Sequence, residues 1–351
     1  MARPAEPYHP YPAALPRYWL PVSYVEDDNS YLGVFTSGSD PIGRHTYLFQ
    51  AAFSRNDQLT EATLVYLYDR FHPTLQLILD RDYIGELTDG FGNLAAHHGK
   101  HEADLDLIFP LRRVNRLMTL SVGVGVEDEF ATRVCSACTV LGLRTDRFLR
   151  LGLSYDSTQD YALGVSPTDG RHVTLTSESA SDAWNSDLEG HAVVLDWEEF
   201  RPLPWRAQVI RLRIAGARAD GDLLFTAGGT PNLIENAFER DFAVRGFADR
   251  SFIGDNLLLG TLSWRFPLAL PERGHGTLPL FLEKLHGNLF VDTIRTRNNP
   301  GDWKHGTGYG AELGTDVVAG YFLPLTFRFG VANGTGSRGE TQTYLVVEAP
   351  I

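Results

Sequence analysis

Several things are scarce in this sequence, and each scarcity removes a class of protein. Only 2 of the 351 residues are Cys and 2 are Met. Cys135 and Cys138 form a lone C-x-x-C. A zinc site of the usual kind needs a second pair, and a redox motif needs a βαβ setting. A local disulfide or two idle thiols are the readings left, and an oxidising compartment is permitted. Basic residues are outnumbered, 31 Lys and Arg against 44 Asp and Glu, for a formal net charge of -13. That balance argues against a nucleic-acid partner, because phosphate contacts need a basic face. No apolar run reaches the ~18 residues of a helical membrane span. Met1 to Leu20 lacks the basic start and apolar stretch of an export signal. An exported chain would have lost its signal, or the sequence would be an excised piece. Neither Thr36 to Ser39 nor Gly123 to Gly125 makes a serine-nucleophile elbow. No P-loop or dinucleotide fingerprint is present either. No catalytic group, metal or cofactor is assigned.

What is present is glycine (34), phenylalanine (20), tyrosine (14) and alternation. Met118, Leu120, Val122, Val124 and Val126 share one face, with Thr119, Ser121, Gly123, Gly125 and Glu127 on the other. Val193, Leu195 and Trp197 alternate with Val194, Asp196 and Glu198. Ile210, Leu212 and Ile214 alternate with Arg211 and Arg213; Leu325, Phe327, Phe329 and Val331 alternate with Thr326, Arg328 and Gly330. Period-2 patterning of this kind marks strands with one apolar face.

A soluble sandwich gives the same pattern. Two features favour a barrel in lipid. Several strands run about ten residues, the length a tilted membrane strand needs. Charges also sit in the middle of the polar faces, which a water-filled lumen accommodates. Strands are expected near 17–25, 30–39, 43–54, 61–71, 74–85, 101–112, 116–130, 148–159, 172–182, 190–201, 207–218, 256–268, 282–296, 305–322, 324–333 and 341–350. That is about sixteen, an even number, as bacterial single-chain barrels have. Short connections such as Asp40-Pro41-Ile42 alternate with long ones at 86–100, 131–147 and 219–255. The fold class expected is an all-β, antiparallel, up-and-down transmembrane barrel over 17–351. Residues 1–16, with Pro4, Pro7, Pro10, Pro12 and Pro16, would be a periplasmic tether.

The stretch 219–268 carries the most specific signal. Val244-Arg245-Gly246-Phe247 lies between the eleventh and twelfth expected strands, and Phe290-Val291-Asp292 lies on the thirteenth. In order, spacing and strand number this resembles the barrel of the BamA/TamA superfamily, the bacterial surface antigen family. Its V-R-G-[FY] loop tip folds into the lumen and meets an F-x-D element on the thirteenth strand. The segments Leu15 to Trp19, Thr36 to His45, Ser166 to Arg171 and Glu272 to Gly287 are similar to a subgroup in which the barrel follows a TolB-like periplasmic propeller. That resemblance implies a sixth outer loop folded into the lumen and latched by Val244, Arg245, Gly246 and Phe247 on Phe290 and Asp292.

It implies a role in assembling, inserting or translocating proteins at the bacterial outer membrane, and the alternative it leaves is a passive channel or an export pore and anchor for the propeller. The partners implied are outer-membrane lipid or lipopolysaccharide, client proteins and a periplasmic domain not in this chain. Two departures stand out: no POTRA module or propeller is here, and the chain ends Glu348-Ala349-Pro350-Ile351 where such barrels finish on an aromatic. A weak seam between 17–25 and 341–350, thinned by Pro21 and Pro350, would offer edges to a client.

Other polar residues get plainer readings. Asp80, Asp82, Asp104 and Asp106 would form a lumenal charge network with Arg150, Arg211, Arg213 and Arg265, rather than a catalytic pair. His97, His98 and His101, in or beside a glycine-containing outer loop, could hold a metal ion with Glu102, but solvated loop histidines are the plainer reading. Trp19, Trp197, Trp205, Trp264 and Tyr321 fall near strand ends and suit interfacial girdles.

Overall fold

A computed structural model describes all residues except 1–14, 27–28, 55–58, 89–93, 134–142, 162, 206, 231–239, 275, 299–300, 321–322, 337 and 349–351. Most of the expected tether, both cysteines, Tyr321 and Pro350 therefore lie outside the described residues. The described chain is almost wholly β. Its strands are β1 (Leu20–Glu26), β2 (Asn29–Ser39), β3 (His45–Ser54), β4 (Thr60–Tyr68), β5 (Thr74–Thr88), β6 (Leu94–Arg113), β7 (Arg116–Arg133), β8 (Thr145–Asp156), β9 (Gly170–Ala180), β10 (Gly190–Pro202) and β11 (Val209–Ala219). After them come β12 (Phe225–Ala227), β13 (Asp241–Phe242), β14 (Phe252–Gly254), β15 (Asn256–Ala269), β16 (Arg273–Gly274), β17 (Leu280–Arg297), β18 (Lys304–Ala319), β19 (Leu323–Gly334) and β20 (Thr341–Glu348). A single 3-10 turn, Asp182–Trp184, is the one helical element among the described residues.

Seventeen strands belong to one sheet. Its described ladders are antiparallel and join chain neighbours, β1 with β2 and so on to β19 with β20. The short β12, β13 and β14 form a separate three-stranded sheet inside the β11–β15 connection. With these three and the two-residue β16 set aside, sixteen long strands remain. β15 is the twelfth of them and β17 the thirteenth.

The chain divides into two compact units. The first contains residues 1–110, 120–151 and 179–189; the second contains 111–119, 152–178 and 190–351. Within each, alternation sorts side chains in the sense opposite to a soluble sandwich. In the first unit Leu105, Leu107, Val124, Val126 and Leu149 are exposed, while Glu102, Asp104, Asp106 and Arg150 are buried. Asp104 keeps only 1% of its surface. In the second unit Leu262 is 51% exposed and Leu345 65%, while Asp292 is 2% exposed. A sandwich buries its leucines because each Å² of apolar surface removed from water gains about 25 cal/mol. Here the leucines face out and the charges face in, the arrangement expected where the surroundings are apolar.

One expectation fails locally. The 86–100 loop is largely strand: β5 and β6 keep pairing to Thr88↔Leu94, with register shifts at Tyr83/Gly85 and Leu87/Thr88. Backbone hydrogen bonds continue there without any apolar alternation to announce them. His97 and His98 therefore stand on β6 rather than in a loop, together with His101, which the expected strand 101–112 already contained. His97 is buried, His98 contacts Glu129 at 3.2 Å, and His101 stacks on Phe130. Among the described residues no three His, Cys, Asp or Glu side chains converge as metal ligands.

In the second unit the 157–169 connection is anchored far from its own strands. Lys284 Nζ on β17 donates to Gly164 O at 2.6 Å. Between β9 and β17 in the sheet lie β10, β11 and β15.

Candidate functional site

The site lies in the second unit, where the β11–β15 connection returns to the buried face of β17 and β18. Arg245 is its centre. On β17, alternation turns Asn288, Phe290 and Asp292 to the buried face and leaves Leu289 and Val291 exposed. Arg245 Nε donates to Asp292 Oδ2 at 2.8 Å, and Nη2 donates to Oδ1 at 2.9 Å. This is the fork-to-fork geometry that makes Arg–carboxylate pairs strong and directional. The backbone N–H of Arg245 also points to Asp292 Oδ2, at 3.4 Å. Its third nitrogen, Nη1, donates to Glu312 Oε1 on β18 at 2.9 Å. The guanidinium carbon sits 3.4 Å from the centroid of the Phe290 ring, within cation–π range.

The carboxylates are held in turn. Thr261 Oγ1 on β15 donates to Asp292 Oδ1 at 2.9 Å. Asn288 Nδ2 donates to Glu312 Oε2 at 2.8 Å, and Tyr344 OH on β20 donates to Glu312 Oε1 at 2.6 Å. Four strands thus contribute to one guanidinium site. Burial alone would lower the Arg245 pKa; Asp292 and Glu312 outweigh it, and the group stands above ordinary arginine. Further along the connection Asp249 is pushed up, by burial first and then by Asp241, with Arg250 opposing.

Room for the loop tip comes from glycine. Gly246 has φ +90°, a conformation side chains rarely adopt, and a Cβ there would lie 2.6 Å from Gly334 N. Its N–H donates to Gln342 Oε1 at 2.8 Å, and Gln342 Nε2 donates to Phe247 O at 2.7 Å. Val244 and Phe247 are fully buried, and Phe247 meets Phe252 edge-on at 5.0 Å. On β18, a Cβ at Gly308 would strike Arg245 O, and one at Gly306 would come within 2.8 Å of the Phe247 ring. The run Gly306-Thr307-Gly308-Tyr309-Gly310 is a strand pared down on one face, where another backbone comes close.

The six motif residues are therefore brought together. The charge residues are divided between the two units. In the first unit Arg150, 2% exposed, pairs with Asp104 and with Glu102 at 3.3 Å, and lies 3.6 Å from Glu127. Asp80 accepts from Thr63 Oγ1 at 2.6 Å, and Asp82 accepts from the Tyr83 N–H at 2.8 Å. Asp106 is buried on β6, where Gly123 leaves space for its carboxylate. In the second unit the expectation needs correction. The ion pairs of Arg211 and Arg213 are with Glu198 and Asp196 on the adjacent β10, because cross-strand neighbours are the nearest acids. Arg265 makes no hydrogen bond or ion pair among the described residues.

Glu312, Thr261, Asn288, Tyr344 and Gln342 were not singled out from the sequence. Glu312 had a signal, a lone acid in mid-strand between Ala311 and Leu313 with glycines on both sides. The others are ordinary polar residues of alternating strands and carry none.

No family model matches this chain, and no curated protein matches it in sequence. Among solved structures it is similar to BamA from Haemophilus ducreyi lacking POTRA domains 1–3. The TM-score is 0.62 at 14% identity, over 95% of this chain and 70% of that one. At that identity the likeness speaks for the fold. Two Pseudomonas aeruginosa proteins also align, OccK10 (OpdN) and OprD. Both have TM-scores of 0.36, at 11% and 10% identity, over 95% and 92% of this chain and 96% and 91% of theirs. At 0.36 they add nothing to the comparison with BamA.

Proposed function

We propose that this chain is an integral barrel of the bacterial outer membrane, without enzymatic activity, that assists assembly, insertion or translocation of proteins there. The outward leucines and inward charges support the membrane setting. Support for the finer role comes from one observation: the Val244–Phe247 tip engaged on Asp292 and Glu312. In this reading the 219–255 loop lies within the lumen and Arg245 latches it. The partners would be outer-membrane lipid or lipopolysaccharide, client proteins and a periplasmic domain. Edges of β1 and β20 would pair transiently with a client strand, so the work is non-covalent. The similarity to the TolB-linked subgroup belongs to this proposal.

A second reading, a channel or export pore, draws on the ionised inner faces. Two measurements separate them. Proteoliposomes holding the full chain should speed the folding of an unfolded outer-membrane barrel client, and planar bilayers should show low conductance that rises in Arg245→Ala. Steady high conductance in the parent protein, with no effect on client folding, would overturn assembly in favour of a pore. Extraction from membranes without detergent would defeat both.

A further inference from the structure

A second feature of the same face has no role in the latch. On the buried side of β15, Arg265 follows Thr261 and Ser263, while Leu262 and Trp264 are exposed. Across the ladders Arg265 stands opposite Asn288, and Ser263 stands opposite Arg211 on one side and Phe290 on the other. Each acid nearby is already engaged. Glu198 receives both Nε and Nη2 of Arg211. Asp196 takes Arg213. Asp292 takes Arg245 and Thr261. Glu312 takes Arg245, Tyr344 and Asn288, with Arg328 at 3.7 Å. Asp316 takes Thr326, with His286 at 3.4 Å.

Arg265 is half-buried and makes no hydrogen bond or ion pair among the described residues; Arg211 and Arg328 lie within electrostatic reach, as do Glu198 and Glu312, both already bonded to other arginines. Like charges gathered in a secluded place are costly unless an anion joins them. Two residues away, Ser263 Oγ also has no hydrogen-bond partner among the described residues, on a side chain only 2% exposed. A buried hydroxyl with no acceptor is an unmade bond.

We propose that Arg265 and Ser263, flanked by Arg211 and Arg328, form a binding site for a phosphate group. The guanidinium fork supplies two parallel donors, the hydroxyl supplies a third off their plane, and a tetrahedral oxyanion has oxygens for all three. Two flanking cations favour a dianion over a carboxylate. The phosphate would be either that of a soluble ion or that of a lipid headgroup. This site depends on the charged face being reachable from water or lipid and on Arg245 occupying Asp292 and Glu312, and not on the assembly role.

The test uses the full chain purified in neutral detergent at low salt, with inorganic pyrophosphate titrated by calorimetry. A parallel arm places it in nanodiscs containing phosphatidylglycerol and measures lipid retained after exchange. Saturable pyrophosphate binding points to a soluble phosphate, and retained lipid without it to a headgroup; either supports the site. Arg265→Gln should weaken the binding about tenfold or more, as loss of a charge-assisted pair does. Arg265→Lys should stay within a few-fold, and Ser263→Ala should be several-fold weaker. Far-UV circular dichroism and heat-modifiable mobility check the fold of each variant. Should Arg265→Gln not fold, Ser263→Ala decides: affinity equal to the parent overturns the proposal. So does unchanged affinity in folded Arg265→Gln, or no binding in either arm.

Discussion

The buried faces of the two units are built from the same residue types and balanced differently. In the first, Asp80, Asp82, Glu102, Asp104, Asp106 and Glu127 face only Lys100 and Arg150 on the strands described, and Arg150 holds three of the acids. In the second, Asp196, Glu198, Asp292, Glu312 and Asp316 face Arg211, Arg213, Arg245, Arg265, Arg328 and Lys284. One of those cations, Arg245, is brought by a loop rather than by a strand. The contrast teaches that a charged interior serves two ends. Where all members are on strands, ion pairs hold the sheet. Where one member comes from a connection, as Arg245 does to Asp292 and Glu312, the same kind of pair holds that connection to the strands.

The contrast breaks most visibly at Arg150. Arg150→Leu strands three carboxylates on the buried face, and loss of one partner of a buried pair costs ~3–5 kcal/mol. With three acids involved we expect failure to refold in detergent, read by the heat-modifiable shift; normal refolding would mean that water reaches that face freely. Next comes Gly308→Val, which sets a side chain against Arg245 O. Backbone has to move, so the loop should leave its seat while the sheet survives: protease cleavage within 219–255 should rise on a circular dichroism spectrum like the parent's. Cleavage at the parent rate would show that the loop does not rest on β18.

Thr261→Val removes one hydrogen bond to Asp292 and leaves the guanidinium fork, so about 1 kcal/mol should be lost in urea unfolding. Smallest is Arg201→Gln. Its pairs with Glu199 and Asp169 are surface ones, with the arginine side chain 59% exposed, and less than about 1 kcal/mol should change. A large effect there would mean that surface and interior pairs do not differ as described.

Much of the fold could be read from alternation, because period 2 is a property of the strand itself. Sixteen strands were expected and sixteen long ones are described, most with ends within a few residues. The reading failed where pairing runs on without an apolar face, as at His97 to Lys100, and where strands are two or three residues long, as at β12 to β14. Such short segments have no period to detect. Val244–Phe247 and Phe290–Asp292 stood out because their order and strand positions matched a known pattern. Glu312 and Gln342 lie far away in sequence, and only register brings them to Arg245. Gly306, Gly308 and Gly310 were visible as glycines in a strand, but what approaches them was not.

The most direct test is a double-mutant cycle between Arg245→Ala and Asp292→Ala, measured by urea unfolding in one detergent. Contacting, secluded partners show non-additivity. The latch predicts a coupling of about 2 kcal/mol or more, with the double variant less damaged than the sum of the two single ones. Additive losses would contradict it, leaving Arg245 an ordinary loop arginine.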